Sequence, residues 1–119
     1  MSHKVLTDAG LVALLELNGE IFPMDNGFWT KIEARKVLSN EKTPHGIRYC
    51  LTLHDRTNRR VLGYDNAHQF KTGRKGFATL TIEWDHKHER NSIKPYSYKS
   101  AGQLMEDFWN DVNRILEDL

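Results

Sequence analysis

Side chains that can move protons or hold phosphate crowd the segment between Gly63 and Arg90. His86 and His88 stand two residues apart, with Asp85 before them and Arg90 after; Asp65, Asn66 and His68 lie upstream. Imidazole titrates close to neutral pH, so paired histidines suit general acid–base chemistry. On RNA, one histidine would take the proton of a ribose 2′-hydroxyl while the other protonates the leaving oxygen. Asp65 or Asp85 would orient an imidazole. Arg90, Arg74 or Lys75 would stabilise the extra phosphate charge. That chemistry needs neither metal nor other cofactor. A second reading joins His86 and His88 to His68 or Asp65 as ligands for zinc, nickel or iron. A His-x-His pair alone is a weak metal signal. A third reading leaves these groups as surface histidines beside an Asx turn at Asp65-Asn66.

The surrounding charge pattern allows a polyanionic partner without requiring one. Net charge is +1, so no bulk electrostatic pull draws the chain to nucleic acid. Residues 56–94 nevertheless carry nine Lys or Arg against four Asp or Glu, and residues 100–119 carry one Arg against five acids. The basic runs Arg56–Arg60 and Lys71–Lys75 have Tyr64, Phe70 and Phe77 nearby, which could stack on bases. Basic turns also serve solubility, so this signal is weak. The single cysteine, Cys50, excludes a disulfide framework and a cysteine-rich zinc site. Cys50 has no adjacent base in its strand-like run and reads as structural. No apolar stretch approaches membrane-spanning length, and the first ten residues lack a signal-peptide pattern. A cytoplasmic protein with no membrane partner is expected.

The elements that must position these groups follow from periodicity. At 119 residues the chain fits one domain, 1–119. Ala9–Leu17 reads as a short helix or turn leading into a hairpin around Asn18-Gly19. A second turn falls at Asp25-Asn26-Gly27. Phe28–Leu38 and Ile47–Asp55 alternate as strands, with Phe28, Thr30, Ile32 and Ala34 on one face, and with Ile47, Tyr49, Leu51 and Leu53 on one face. Arg60–Tyr64 returns as a partner strand after the turn Arg56–Arg59. Residues 66–77 read as loop and Ala78–Trp84 as a strand, with Trp84 in the core. Asp85–His88, if extended, puts His86 and His88 on one face and Asp85 and Lys87 on the other. Glu89–Lys94 reads as a polar loop and Tyr96–Tyr98 as a short edge strand. Ser100–Leu119 is a helix, opened by a Ser100/Gln103 capping box and striped by Leu104, Phe108, Val112, Ile115 and Leu119. The fold class is therefore α+β: an antiparallel β-meander sheet packed on one face by a C-terminal α-helix. Exposed sheet edges allow a homodimer.

From Asp25 onward the chain resembles the TumE family of small bacterial and archaeal toxins. The resemblance rests on Asp25-Asn26-Gly27, TPHGIRYCLTLHD (43–55), RRVLGYDNAH (59–68), EWDHKHER (83–90), the PYSY run at 95–98, and QLMEDFWNDVNRI (103–115). It implies the toxin of a type II toxin–antitoxin pair, acting on RNA or translation, with a partner antitoxin of the helix-turn-helix kind. RNA or the ribosome is the implied target. The positions matching the family's polar landmarks are Asp65, Asn66, His68, Asp85, His86, His88 and Arg90. Together the two lines of reading make His86, His88, Asp65, His68 and Asp85 the catalytic candidates. Arg90, Asn66, Arg74 and Lys75 become the substrate-binding candidates of a metal-independent ribonuclease. The alternative is a non-enzymatic module that grips nucleic acid or protein.

Overall fold

The computed structural model describes residues 8–39, 45–66 and 85–119. Six strands form one antiparallel sheet in the order β1-β2-β3-β4-β5-β6, each hydrogen-bonded to its neighbour in sequence. They are β1 Ile21–Pro23, β2 Trp29–Lys36, β3 Ile47–His54, β4 Arg60–Asp65, β5 Asp85–Glu89 and β6 Ser92–Tyr96. Helix α1, Leu11–Glu16, precedes the sheet, and α2, Ala101–Glu117, follows it. The predicted strand Ala78–Trp84, with the core reading of Trp84, lies outside the described residues, as do His68, Phe70, Lys71–Lys75 and Phe77.

Alternation decides which face is covered. Thr30, Ile32 and Ala34 of β2, Tyr49, Leu51 and Leu53 of β3, and Leu62 and Tyr64 of β4 are buried. Cross-strand register aligns them: Ile32 opposes Leu51, and Leu51 opposes Tyr64. Against this face α2 lays Leu104, Phe108, Val112 and Ile115, spaced at helical intervals, while α1 adds Leu14. Each such large apolar side chain contributes about 1.5–3 kcal/mol on full burial. Leu119, expected to extend the stripe, is exposed at the C-terminus.

Polar side chains fasten the helix at both ends. The carboxylate of Asp8 accepts from the Ala101 N–H at 2.6 Å and from the Tyr98 hydroxyl at 2.6 Å. The Gly102 N–H donates to the Ala9 carbonyl at 2.7 Å, and the Gln103 N–H donates to Ser100 Oγ at 3.0 Å. The first three N–H groups of α2, which no helical carbonyl can reach, are thereby satisfied. Only half of the expected capping box forms, because the Gln103 amide donates to Asp107 at 2.9 Å. Gly10 and Gly102 meet backbone to backbone; a Cβ on Gly10, at φ 83°, would stand 2.7 Å from Gly102. Along α2, Tyr64 and Lys87 both donate to Asp111, at 2.6 and 2.7 Å, and Arg114 forks onto Glu89 at 2.8 and 3.1 Å. Burial opposes ionisation of Asp111, but the hydrogen bonds from Lys87 and Tyr64 outweigh it and hold the carboxyl below its usual range.

Two sequence expectations are corrected. The hairpin between β1 and β2 turns at Asp25–Gly27, a 3-10 turn in which Asn26 and Gly27 have φ of 60° and 78°, and not at Asn18-Gly19. Asn18-Gly19 instead ends the turn after α1, with the Gly19 N–H donating to Ile32 and the Asn18 amide oxygen capping the Ala34 N–H. The supposed polar loop Glu89–Lys94 is mostly strand: a two-residue turn at Arg90-Asn91 joins β5 to β6, and the edge strand ends at Tyr96. Pro95 obscured it, because proline reads against a strand yet is tolerated at an edge.

Candidate functional site

The face of the sheet turned away from the helices carries the polar groups. In strand order, one row across it holds Glu33, Cys50, Asp65, His86 and Pro95; the next holds Lys31, Thr52, Gly63, His88 and Ile93. Asp65 directly opposes His86 and reaches diagonally to His88, with Oδ2 3.4 Å from Nε2. The two imidazole centroids are 6.2 Å apart. The expectation that His86 and His88 share a face is what the register produces, and of the two candidate carboxylates it is Asp65 that lies beside them.

Arg60 joins this group through a glycine. Gly63 interrupts an otherwise side-chain-bearing strand, and Arg60 occupies the space its side chain would fill. A Cβ on Gly63 would sit 3.3–3.5 Å from Cδ, Nε and Nη1 of Arg60. The Arg60 side chain therefore lies over Gly63, at the position opposite His88. Burial, then the positive charge of Arg60 and the neighbouring His86, push the His88 pKa below that of an ordinary imidazole, against the pull of Asp65. That shift favours the neutral imidazole of His88, next to the Arg60 cation.

Farther along the same face, His54 and Trp29 stack at 4.1 Å with their planes 8° apart, and His54 Nε2 lies 3.0 Å from Thr52 Oγ1. Nδ1 of His54 is shielded and meets no hydrogen-bond partner among the described residues. At Cys50, burial first, then Asp65 and Glu33, push the thiol up to about 11, which disfavours the thiolate.

At the end of the sheet, Asp55, Arg59, Arg60, Val61, Arg90 and Asn91 line a cleft of about 260 Å3. Arg90 stands at the β5–β6 turn with φ 53°. Asp55 is committed to the β3–β4 turn, accepting from the Thr57 hydroxyl and the Thr57 and Arg59 N–H groups; these contacts hold its carboxyl below the usual range. The cleft thus presents three arginines to a ligand, and Arg60 connects it to His88.

Asp85 does not belong with His86 and His88. The same alternation that exposes His86 turns Asp85 inward, where Oδ2 accepts from the Tyr49 hydroxyl at 2.8 Å and stands 3.0 Å from His45 Nε2. His45 stacks on Tyr98 at 4.0 Å. Burial, then Asp85, keeps the Tyr49 hydroxyl protonated far above its ordinary range. Asp85 does orient an imidazole, but it is that of His45. Asn66 is fully buried; its amide accepts from the Tyr49 N–H at 3.0 Å and donates to the Ile47 carbonyl at 2.6 Å. It extends the β3–β4 ladder and presents no surface to a substrate. His68, Arg74 and Lys75 lie outside the described residues. Among the described residues, no three His, Cys, Asp or Glu side chains converge as metal ligands. No described helix is long and apolar enough to cross a membrane.

Sequence reading counted Arg60 only within the basic run Arg56–Arg60, apart from the histidines, and left His54 out of the site. Each had a signal. Glycine inside the β4 pattern marks a place where another group must approach the backbone. His54 falls in phase with Cys50 and Thr52 on the polar face of the clearest strand.

A family model described as Toxin TumE matches residues 7–116. The match reaches back through α1, beyond the landmarks that begin at Asp25. No curated protein and no solved structure matches the chain.

Proposed function

The chain belongs to the TumE toxin family, and from that membership we propose that it is the RNA-directed toxin of a toxin–antitoxin pair, cleaving the phosphodiester backbone without a metal. The observation that carries this reading is the placement of His88 beside Asp65 and Arg60 on the open sheet face. Asp65 anchors the imidazole through Nε2, leaving Nδ1 to accept a proton from a ribose 2′-hydroxyl. The 2′-oxygen attacks the adjacent phosphorus, and the bond to the 5′-oxygen breaks. His86, one pleat away, supplies the proton that this leaving oxygen takes up. Arg60 faces the charge that builds on the phosphoryl oxygens, and Arg59 and Arg90 hold the neighbouring phosphate in the adjoining cleft. The products are a 2′,3′-cyclic phosphate and a 5′-hydroxyl. Cys50, protonated and half-buried, takes no part.

His86→Ala and His88→Ala should abolish growth inhibition while leaving the circular dichroism spectrum and melting temperature unchanged. RNA incubated with the wild-type protein should carry cyclic or 3′-phosphate ends. Retarded but uncut RNA would favour a binding module in place of the ribonuclease. If both variants stay fully toxic, the acid–base assignment is wrong.

A further inference from the structure

A second binding surface lies at the far end of the sheet, on the outer edge of β2. Strand β1 covers only part of that edge, pairing with Trp29, Thr30 and Lys31, and the Glu20–Ile32 and Gly19–Ile32 hydrogen bonds close the pairing. β2 runs on to Lys36. The Val37 N–H donates to Gly46 on the β3 side, so alternation turns the backbone of Ala34 and Lys36 outward. Asn18 caps the Ala34 N–H at 2.9 Å. Among the described residues, no strand continues the pairing beyond Ile32.

The side chains beside this edge are arranged for an anion. Arg35 and Arg48 are directly opposed across β2 and β3, a like-charge pairing that destabilises a sheet. Among the described residues, neither arginine meets a carboxylate within salt-bridge distance; Glu33 is turned to Lys31 at 3.5 Å. Lys36 adds a third cation at the strand's end. A groove of about 360 Å3 runs here, lined by Asn18, Glu33, Ala34, Arg35, Arg48, Tyr49 and Cys50.

We infer that this edge receives an extended acidic segment of the antitoxin, which adds to β2 as a strand and places its carboxylates on Arg35 and Arg48. An exposed strand edge with its backbone groups turned outward is matched by another peptide strand. RNA could use the charges but not the backbone edge. A second copy of the chain would bring Arg35 and Lys36 against themselves, so self-pairing is opposed by charge. The inference relies on the chain having a protein antitoxin, as its family implies, and not on ribonuclease chemistry.

The test is fluorescence anisotropy with a labelled eight-residue peptide alternating glutamate and valine, on wild-type protein and on His88→Ala. Binding should be equal on both, since His88 is remote from the edge. Arg35→Glu combined with Arg48→Glu should weaken it at least tenfold, and Arg35→Ala with Arg48→Ala, a milder pair, should do so in the same direction. Lys36→Pro removes an outward N–H without touching the β3 ladder and should weaken binding too. A lysine–valine peptide should not bind. Equal binding of a peptide N-methylated along its hydrogen-bonding edge would show a charge patch only and overturn strand addition. Unchanged affinity in both arginine double variants, or their loss of RNA binding in place of peptide binding, would overturn the assignment. An absence of RNA cleavage would sink the proposed function and leave this result standing.

Discussion

Two histidine–aspartate pairs sit on opposite faces of the same sheet, in surroundings that differ in every respect that matters to an imidazole. His45–Asp85 lies on the covered face, with Tyr49 as a third partner and Tyr98 stacked over the imidazole. Every strong contact of that carboxylate is internal. His88–Asp65 lies on the open face at a looser 3.4 Å, with Arg60 and His86 as neighbours. The first pair ties the start of β3 and the approach to α2 to the start of β5. The second leaves an imidazole nitrogen and a guanidinium facing outward. Asp85 and His86 are adjacent residues, so one step of β-pleat separates a structural group from one of the proposed catalytic groups.

The comparison can be broken most decisively by exchanging its carboxylates. Asp85→Ala should destabilise the fold by about 1–3 kcal/mol, because the buried Tyr49 hydroxyl loses its partner, while activity at low temperature persists. Asp65→Ala should leave urea denaturation within about 0.5 kcal/mol of wild type and reduce RNA cleavage at least tenfold. Equal stability losses in the two variants would erase the distinction.

A finer probe is Gly63→Ala. Its methyl group would press on Arg60 at 3.3 Å and lift the guanidinium from the position opposite His88. Cleavage should drop about tenfold, equivalent to about 1.4 kcal/mol of transition-state stabilisation, without loss of cooperative unfolding. Unchanged kcat would remove Arg60 from the site.

The smallest effect is in the pH dependence. The folded-state pKa of His88 lies below the unfolded value of about 6.5, so unfolding takes up a proton there. The contribution to stability is complete above about pH 6.5 and declines as the pH falls from there toward the folded pKa. In His88→Ala that slope should disappear from denaturation curves measured across this window. The acid limb of the cleavage profile should also lie below pH 6.5. A limb at or above that value would mean that Asp65 dominates and that His88 is not held neutral.

How much of this was readable beforehand varies by element. β2, β3 and α2 declare themselves because each buries one face against apolar partners, which imposes a period of 2 or 3.6 on the sequence. β6 does not, because Ser92, Ile93 and Lys94 at the sheet edge are exposed and bury nothing that would impose a pattern. Asn18-Gly19 carries a hairpin signature but follows a helix, where glycine at φ 89° serves equally well to reverse the chain. The opposite facings of Asp85 and His86 were legible from strand alternation. The identity of the partners was not: His45 is forty residues from Asp85, and only the β3–β4–β5 register and Tyr98 bring it there. Asn66 was misread because a polar residue at a strand end looks the same whether its amide faces solvent or closes the backbone ladder.

The clasp that Asp8 makes on Tyr98 and Ala101 has a consequence in time. Asp8, which clasps the start of α2, precedes the sheet in the chain, and the helix that covers the sheet follows all six strands. Until α2 has been made, the sheet has no helix to cover Leu51, Leu53, Leu62 and Tyr64, so its strands lack the burial that would fix them. The open-face cluster depends on that register. Its side chains come together only once α2 docks, so the proposed site is assembled after every strand of the sheet has been made.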